Sequence, residues 1–157
     1  MATKKPIAIQ QVTNKPVQST IINNPSTGLP LFGMYPAIAL PEVTFSGGPI
    51  YLRYGKHIGP NRGWGLEHIW KARFPNEPDY LTATPKVADL ITSILVQGAS
   101  IHYEFGLGSG AQRSSVFRNS TGVVIVEERQ GGRNEIFYSI VTAIPRKNVN
   151  GPKIGAI

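Results

Sequence analysis

The side chains best suited to proton transfer lie in one short stretch, residues 63–74. His68 stands there beside Glu67 and close to the cations Lys71 and Arg73. Histidine exchanges protons near neutrality because its unperturbed pKa is about 6.5. The chain carries a formal net charge of +7, and a cationic protein attracts polyanions, of which nucleic acid is the most abundant. Together these features indicate acid–base chemistry on a nucleic acid, with His68 at its centre.

Two further groups are candidates to join His68. Lys56 and His57 lie in a glycine-bounded stretch over residues 55–59, which we interpret as a loop that folds back toward His68. The second group lies in the last long strand, where strict alternation places Tyr138 and Thr142 on one face.

The other face of that strand carries Phe137, Ser139 and Val141, which alternation predicts to pack against the helices. The outward face would then hold Tyr138 and Thr142, within reach of Arg118 or Arg129.

Other chemistries have weaker support in the sequence. Histidines at metal-binding spacing and carboxylate clusters are missing, and the chain has no cysteine for thiolate ligands, disulfides or thiol catalysis. The glycine-rich residues 106–110 lack the lysine of a phosphate-binding loop and are interpreted as a mobile loop. We therefore predict neither a metal nor a small-molecule cofactor.

No apolar run reaches the roughly 18 residues of a membrane span, and the first residues do not resemble a secretory signal.

The elements that position these residues follow from hydrophobic periodicity. Apolar residues at intervals of three to four predict a helix over residues 66–72, and Thr84 followed by Pro85 predicts the start of a second helix that ends at Gly98. Beyond Gly98 the period changes to two, which predicts strands over 114–118, 123–126 and 136–144. The predicted fold is an α+β domain, with N-terminal helices packed on one face of a twisted antiparallel sheet of about four strands.

Residues 1–48 differ from the rest in composition, because a proline recurs every five to ten residues. Interior prolines forbid a long helix, so this part is predicted to be an extended arm or linker. The predicted domain boundaries are therefore 1–48 for the arm and 49–157 for the catalytic domain.

Three segments together resemble a known superfamily. They are the run over residues 63–69 with its following helix, the final strand over 138–143, and residues 151–155. Through these three segments, residues 50–157 resemble the barnase–EndoU–colicin–RelE superfamily. The resemblance is closest to its phage-encoded and polymorphic-toxin members, including the C-terminal domains of contact-dependent inhibition toxins.

The resemblance implies a metal-independent endoribonuclease, with tRNA as the expected substrate. Such a toxin is secreted or delivered from its producer, acts in the cytoplasm of the target cell, and is neutralised by a cognate immunity protein. In catalysis, the resemblance assigns an acid or base role to His68 and phosphate binding to Thr142. The remaining roles that it implies are catalysis by Lys56, Arg73 and Tyr138, and RNA binding by His57, Arg62, Lys71, Arg118 and Arg129.

Two other functions stay open at this point. One is a non-catalytic binding or structural module of a phage or secretion system, for which His68 would be dispensable. The other is a nuclease that acts on DNA or depends on a metal.

Overall fold

The computed structural model describes residues 15–103, 113–149 and 151–157. In these residues the chain forms twelve strands and two α-helices. The helices are α1, Gly65–Arg73, and α2, Tyr80–Ile94. The strands are β1 Ile21–Ile22, β2 Gly33–Tyr35, β3 Ile38–Ala39, β4 Thr44–Phe45, β5 Gly48–Arg53, β6 Lys56–Gly59, β7 Arg62–Trp64, β8 Ser100–His102, β9 Ser114–Arg118, β10 Gly122–Gln130, β11 Ile136–Pro145 and β12 Lys153–Ala156. The glycine loop predicted over 106–110 lies outside the described residues.

Eight strands form one mixed sheet in the order β1-β5-β11-β10-β9-β8-β12, and β2 also pairs with β5. The β5–β11 pair is parallel, and the other pairs of this sheet are antiparallel. The predicted α+β domain, with helices on an antiparallel sheet of about four strands, is therefore wrong. The prediction failed in part because it treated residues 1–48 as an arm, whereas β1 and β2 of this region pair with β5 and extend the sheet.

The part of the predicted arm that the structure describes contributes to the hydrophobic core. Tyr35 and Phe45 are almost fully buried, and the Tyr35 ring stacks on that of Tyr138 with centroids 4.0 Å apart. Phe32, Ile38 and Val43 belong to the same core cluster. The prolines of this region, such as Pro36 and Pro41, fall between short strands, where no ladder hydrogen bond is lost.

The two helices pack on each other and on the sheet through apolar stripes. In α1 the buried stripe contains Leu66, Ile69 and Trp70, so the helix predicted over 66–72 is confirmed. The predicted start of α2 at Thr84 is wrong, because the helix begins at Tyr80 and is capped by Asp79, which accepts a hydrogen bond from the backbone N–H of Thr82. Among the described residues, no helix is long and apolar enough to cross a membrane.

Candidate functional site

The β6–β7 hairpin and helix α1 bring two histidines together. The segment predicted as a loop over residues 55–59 is a strand that pairs with β7, with His57 opposite Gly63. Gly63 has φ +136°, and a Cβ atom there would lie 2.8 Å from Nδ1 of His68 and would also clash with the Lys56 carbonyl. A glycine at this position therefore lets the His68 ring pack directly on the hairpin backbone.

His57 and His68 share a hydrogen bond between their Nδ1 atoms, which are 3.1 Å apart. One ring must donate and the other must accept, so the two imidazoles hold opposite roles at Nδ1. When both rings are neutral, the donor presents a basic Nε2 and the acceptor presents an Nε2–H. The ring centroids are 5.3 Å apart, so the rings meet head to head and their Nε2 atoms point away from each other. The pair can therefore pass a proton from one ring to the other.

The surroundings of His68 favour its neutral form. Burial lowers the pKa of His68, and the charges of His57 and Arg73 lower it further. His68 is only 4 % exposed, and its Nε2 has no hydrogen-bond partner among the described residues. A neutral imidazole whose Nε2 is unpaired is suited to take or give a proton near neutral pH.

Glu67 fixes the hairpin to the helix and so holds the two histidines in place. Its Oε1 accepts the backbone N–H of His57 at 2.8 Å, and its Oε2 accepts from the Tyr54 hydroxyl at 3.0 Å and from Lys15 Nζ at 3.1 Å. Burial by itself would raise the pKa of Glu67, but these hydrogen bonds hold that pKa below its usual value. The carboxylate therefore stays ionised and serves as an anchor.

A β-bulge in β11 changes which of the predicted strand residues reach the site. In the pairing with β10, Ile125 lies opposite Thr142, but Val126 lies opposite Ile140, so Val141 is the extra residue. The bulge shifts the alternation by one, and Tyr138 and Thr142 face opposite sides of the sheet. The predicted common face of Tyr138 and Thr142 is therefore wrong.

Tyr138 belongs to the core face and not to the candidate site. Its hydroxyl donates to Glu128 at 3.0 Å and accepts the backbone N–H of Gly47 at 3.3 Å. Burial, followed by the nearby charge of Glu128, raises the pKa of Tyr138 to about 12. Ser139, which the sequence predicted to pack against the helices, instead shares the opposite face with Thr142.

Thr142 lies on this opposite face, and Arg73 of helix α1 contacts β11 at the next residue. The Thr142 side chain is 7 % exposed, and its Oγ1 has no hydrogen-bond partner among the described residues. Arg73 donates from Nε to the carbonyl of Ala143, the residue after Thr142, at 2.9 Å. The charge of Arg73 also lowers the pKa of His68. A buried hydroxyl without a partner costs about 1–3 kcal/mol, which a bound acceptor would offset.

The remaining predicted cations divide into those near the histidines and those elsewhere. Lys56 and His57 line an open groove of about 460 Å³, together with Lys15 and Glu67. Arg62 is exposed in the same hairpin, and Lys71 lies over the Trp70 ring, with Nζ 4.0 Å from the ring centroid.

On the sheet, Arg129 pairs with Glu127 at 3.1 Å. Arg118 lies on β9, two strands from β11, and donates to Asn148 at 3.3 Å. Arg118 therefore lies two strands away from β11, and its contact is with the chain that follows β11.

Sequence reasoning missed Arg53, which lies on the same sheet face as Thr142. In β5, Ile50 and Leu52 point into the core, as does Tyr54 directly after the strand, so Arg53 points to the other face. Its Nε donates to Ser139 Oγ at 2.9 Å, and its Cζ lies 4.4 Å from the centroid of the Trp64 ring. The alternation in β5 was the signal that could have revealed it.

Comparison with protein families, curated proteins and solved structures finds no match to this chain. Within residues 15–103, 113–149 and 151–157, no group of three or more histidine or acidic side chains is arranged to hold a metal ion. Among the described residues, the histidine pair is therefore the group best suited to acid–base chemistry.

Proposed function

We propose that the protein is an endoribonuclease that cleaves RNA by internal transesterification. In this reaction the 2′-hydroxyl of the substrate attacks the adjacent phosphorus, and the 5′-oxygen leaves, which gives a 2′,3′-cyclic phosphate and a free 5′-hydroxyl. One proton must leave the nucleophile and one must reach the leaving oxygen. The observation that carries the proposal is the Nδ1–Nδ1 hydrogen bond between His57 and His68, because it supplies a coupled acid and base.

His68 is the group that exchanges protons with the substrate, and His57 sets its tautomer. This assignment is supported by the neutral state of His68 and by the charge of Arg73 beside it. Arg73 would stabilise negative charge that builds on the phosphate oxygens, and the Thr142 hydroxyl would donate to one of them. The nucleophile belongs to the substrate, so the reaction requires no metal.

The test is cleavage of single-stranded RNA and tRNA by the purified chain in excess EDTA. A general acid–base group contributes a factor of about 10² to 10⁴, so His68→Ala should reduce the rate by that amount. His57→Ala should cause a smaller loss and shift the pH–rate profile, because His57 acts through His68.

The matched control is His102→Ala, since His102 lies on β8 and bonds to Ser100 and to the carbonyl of Gly151. This variant should cleave at the wild-type rate. Wild-type cleavage by a correctly folded His68→Ala protein would remove His68 from the mechanism. Intact RNA with every variant would instead favour a non-catalytic binding module, and activity that EDTA abolishes would favour a metal-assisted nuclease.

The wider proposal is a toxin that acts on tRNA in the cytoplasm of a target cell. The formal net charge of +7 suits an RNA substrate and equally suits an acidic immunity protein as inhibitor. Expression of the wild type in bacterial cells should stop growth and yield discrete tRNA fragments, whereas His68→Ala should do neither.

A further inference from the structure

The Arg53 side chain is held in one orientation from three sides. Its Cζ lies 4.4 Å from the centroid of the Trp64 ring and 5.6 Å from that of Phe137, and Nε donates to Ser139 Oγ at 2.9 Å. Neither terminal nitrogen hydrogen-bonds to any residue that the structure describes, so the outer edge of the guanidinium keeps its donors available. A planar cation fixed in this way has already lost most of its rotamer entropy.

The charges around Arg53 leave an excess of positive potential on this face. Burial lowers the pKa of Arg53, and the charge of Arg129 lowers it further, while Glu127 acts in the opposite direction. Glu127 is itself engaged with Arg129 at 3.1 Å. A partly buried guanidinium that lacks its own carboxylate favours an incoming anion, because the anion replaces lost solvation.

We propose that Arg53 is a preorganised receptor for a backbone phosphate of single-stranded RNA. A guanidinium fork binds phosphate through two parallel hydrogen bonds, which an ammonium cannot do. Thr142, whose buried hydroxyl lacks a partner among the described residues, lies on the same face of the sheet. The rings of Trp64 and Phe137 hold the guanidinium by cation–π contacts and so fix its orientation.

This inference deepens the proposed function and rests on it for the identity of the anion. Its test measures binding without cleavage, by fluorescence anisotropy of a labelled oligodeoxynucleotide, which lacks the 2′-hydroxyl. Arg53→Gln should weaken binding about tenfold or more, as expected for a lost charged hydrogen bond. The slope of log K against log salt should fall in magnitude by about 0.7, the value for one phosphate contact on a single strand. Arg53→Lys should recover only part of the affinity.

The matched control is Arg146→Gln, which removes the same charge from an exposed turn after β11. Arg146 is seven residues beyond Ser139, roughly 20 Å along an extended strand. This variant should bind nearly as tightly as the wild type and keep its salt slope. If Arg53→Gln and Arg146→Gln bind equally, the inference is overturned.

Two further measurements separate the possible results. Ser139→Ala keeps the charge of Arg53 but removes the hydroxyl that orients it, so it should also weaken binding, and it serves if Arg53→Gln fails to fold. Inorganic phosphate should displace the labelled oligonucleotide only at a far higher concentration than an unlabelled oligonucleotide does. If the two competitors were equally potent, the receptor would be a site for free phosphate. Binding that depends on Arg53 in a protein that cleaves no RNA would retain the phosphate receptor and remove the nuclease.

Discussion

At the scale of single residues, the buried hydroxyl of Thr142 lowers the stability of the fold and is the proposed donor to a substrate phosphate. Its Oγ1 lacks a partner among the described residues, although the side chain is only 7 % exposed. Thr142→Val keeps the shape and removes the hydroxyl, so the free energy of unfolding should rise by about 1 kcal/mol in the absence of substrate. The same change should slow RNA cleavage and weaken oligonucleotide binding. Urea unfolding and single-turnover kinetics measure the two effects.

Thr142→Ser is the control for this pair of measurements, because it keeps the hydroxyl and loses one methyl group. It should retain cleavage and lose a little stability. A valine variant that is less stable than the wild type, or that cleaves RNA equally well, would show that the Thr142 hydroxyl serves no bound ligand.

The sequence revealed the residues of the candidate site to different degrees. His57 and His68 were predicted to approach each other, and the Nδ1–Nδ1 hydrogen bond confirms their proximity. Residue types alone predicted this proximity, because the glycines at 55, 59 and 63 indicate that the chain reverses direction over a short distance. Arg53 and Ser139 escaped notice, since their contact joins residues 86 positions apart and depends on a parallel strand pair.

At the scale of elements, the bulge in β11 decides which side chains belong to the site. A bulge inserts one residue into a ladder and reverses the inward and outward faces beyond it. Alternation alone could not reveal it, because Val141 is an ordinary strand residue and the register shift depends on the pairing with β10. By contrast, the apolar stripe of α1 is a local pattern of period 3.6, and it predicted the helix within one or two residues.

Tyr138→Phe tests this assignment of faces. The change removes the hydroxyl that bonds Glu128 and Gly47, so the free energy of unfolding should fall by about 1 kcal/mol. Because Tyr138 lies on the core face, kcat for RNA cleavage should stay at the wild-type value at a temperature where both proteins are folded. A large fall in kcat with unchanged stability would return Tyr138 to the catalytic group. Denaturant unfolding and steady-state kinetics on the same preparations provide the comparison.

At the scale of the whole molecule, the sheet joins the predicted arm, residues 1–48, to the predicted catalytic domain, residues 49–157. Strands β1 and β2 pair with β5, which in turn pairs with the last long strand, β11. Residues 32–45 cover the core side of the sheet beside the helices, with Tyr35 packed on Phe45, Phe117 and Tyr138. Regular proline spacing excluded a long helix in this region, but it could not distinguish a solvent-exposed arm from short strands joined by turns.

A chain that begins at residue 49, the predicted domain boundary, should therefore fail to fold by itself. It lacks five core side chains, Phe32, Tyr35, Ile38, Val43 and Phe45. Burial of each contributes about 2 kcal/mol, so their loss removes about 10 kcal/mol, which is comparable with the whole stability of a typical domain. Circular dichroism and urea unfolding of residues 49–157 should show no cooperative transition, in contrast to the full chain. Addition of a peptide of residues 15–48 should restore the transition. A cooperative transition of residues 49–157 alone, at the denaturant midpoint of the full chain, would show that the preceding strands are dispensable for the fold.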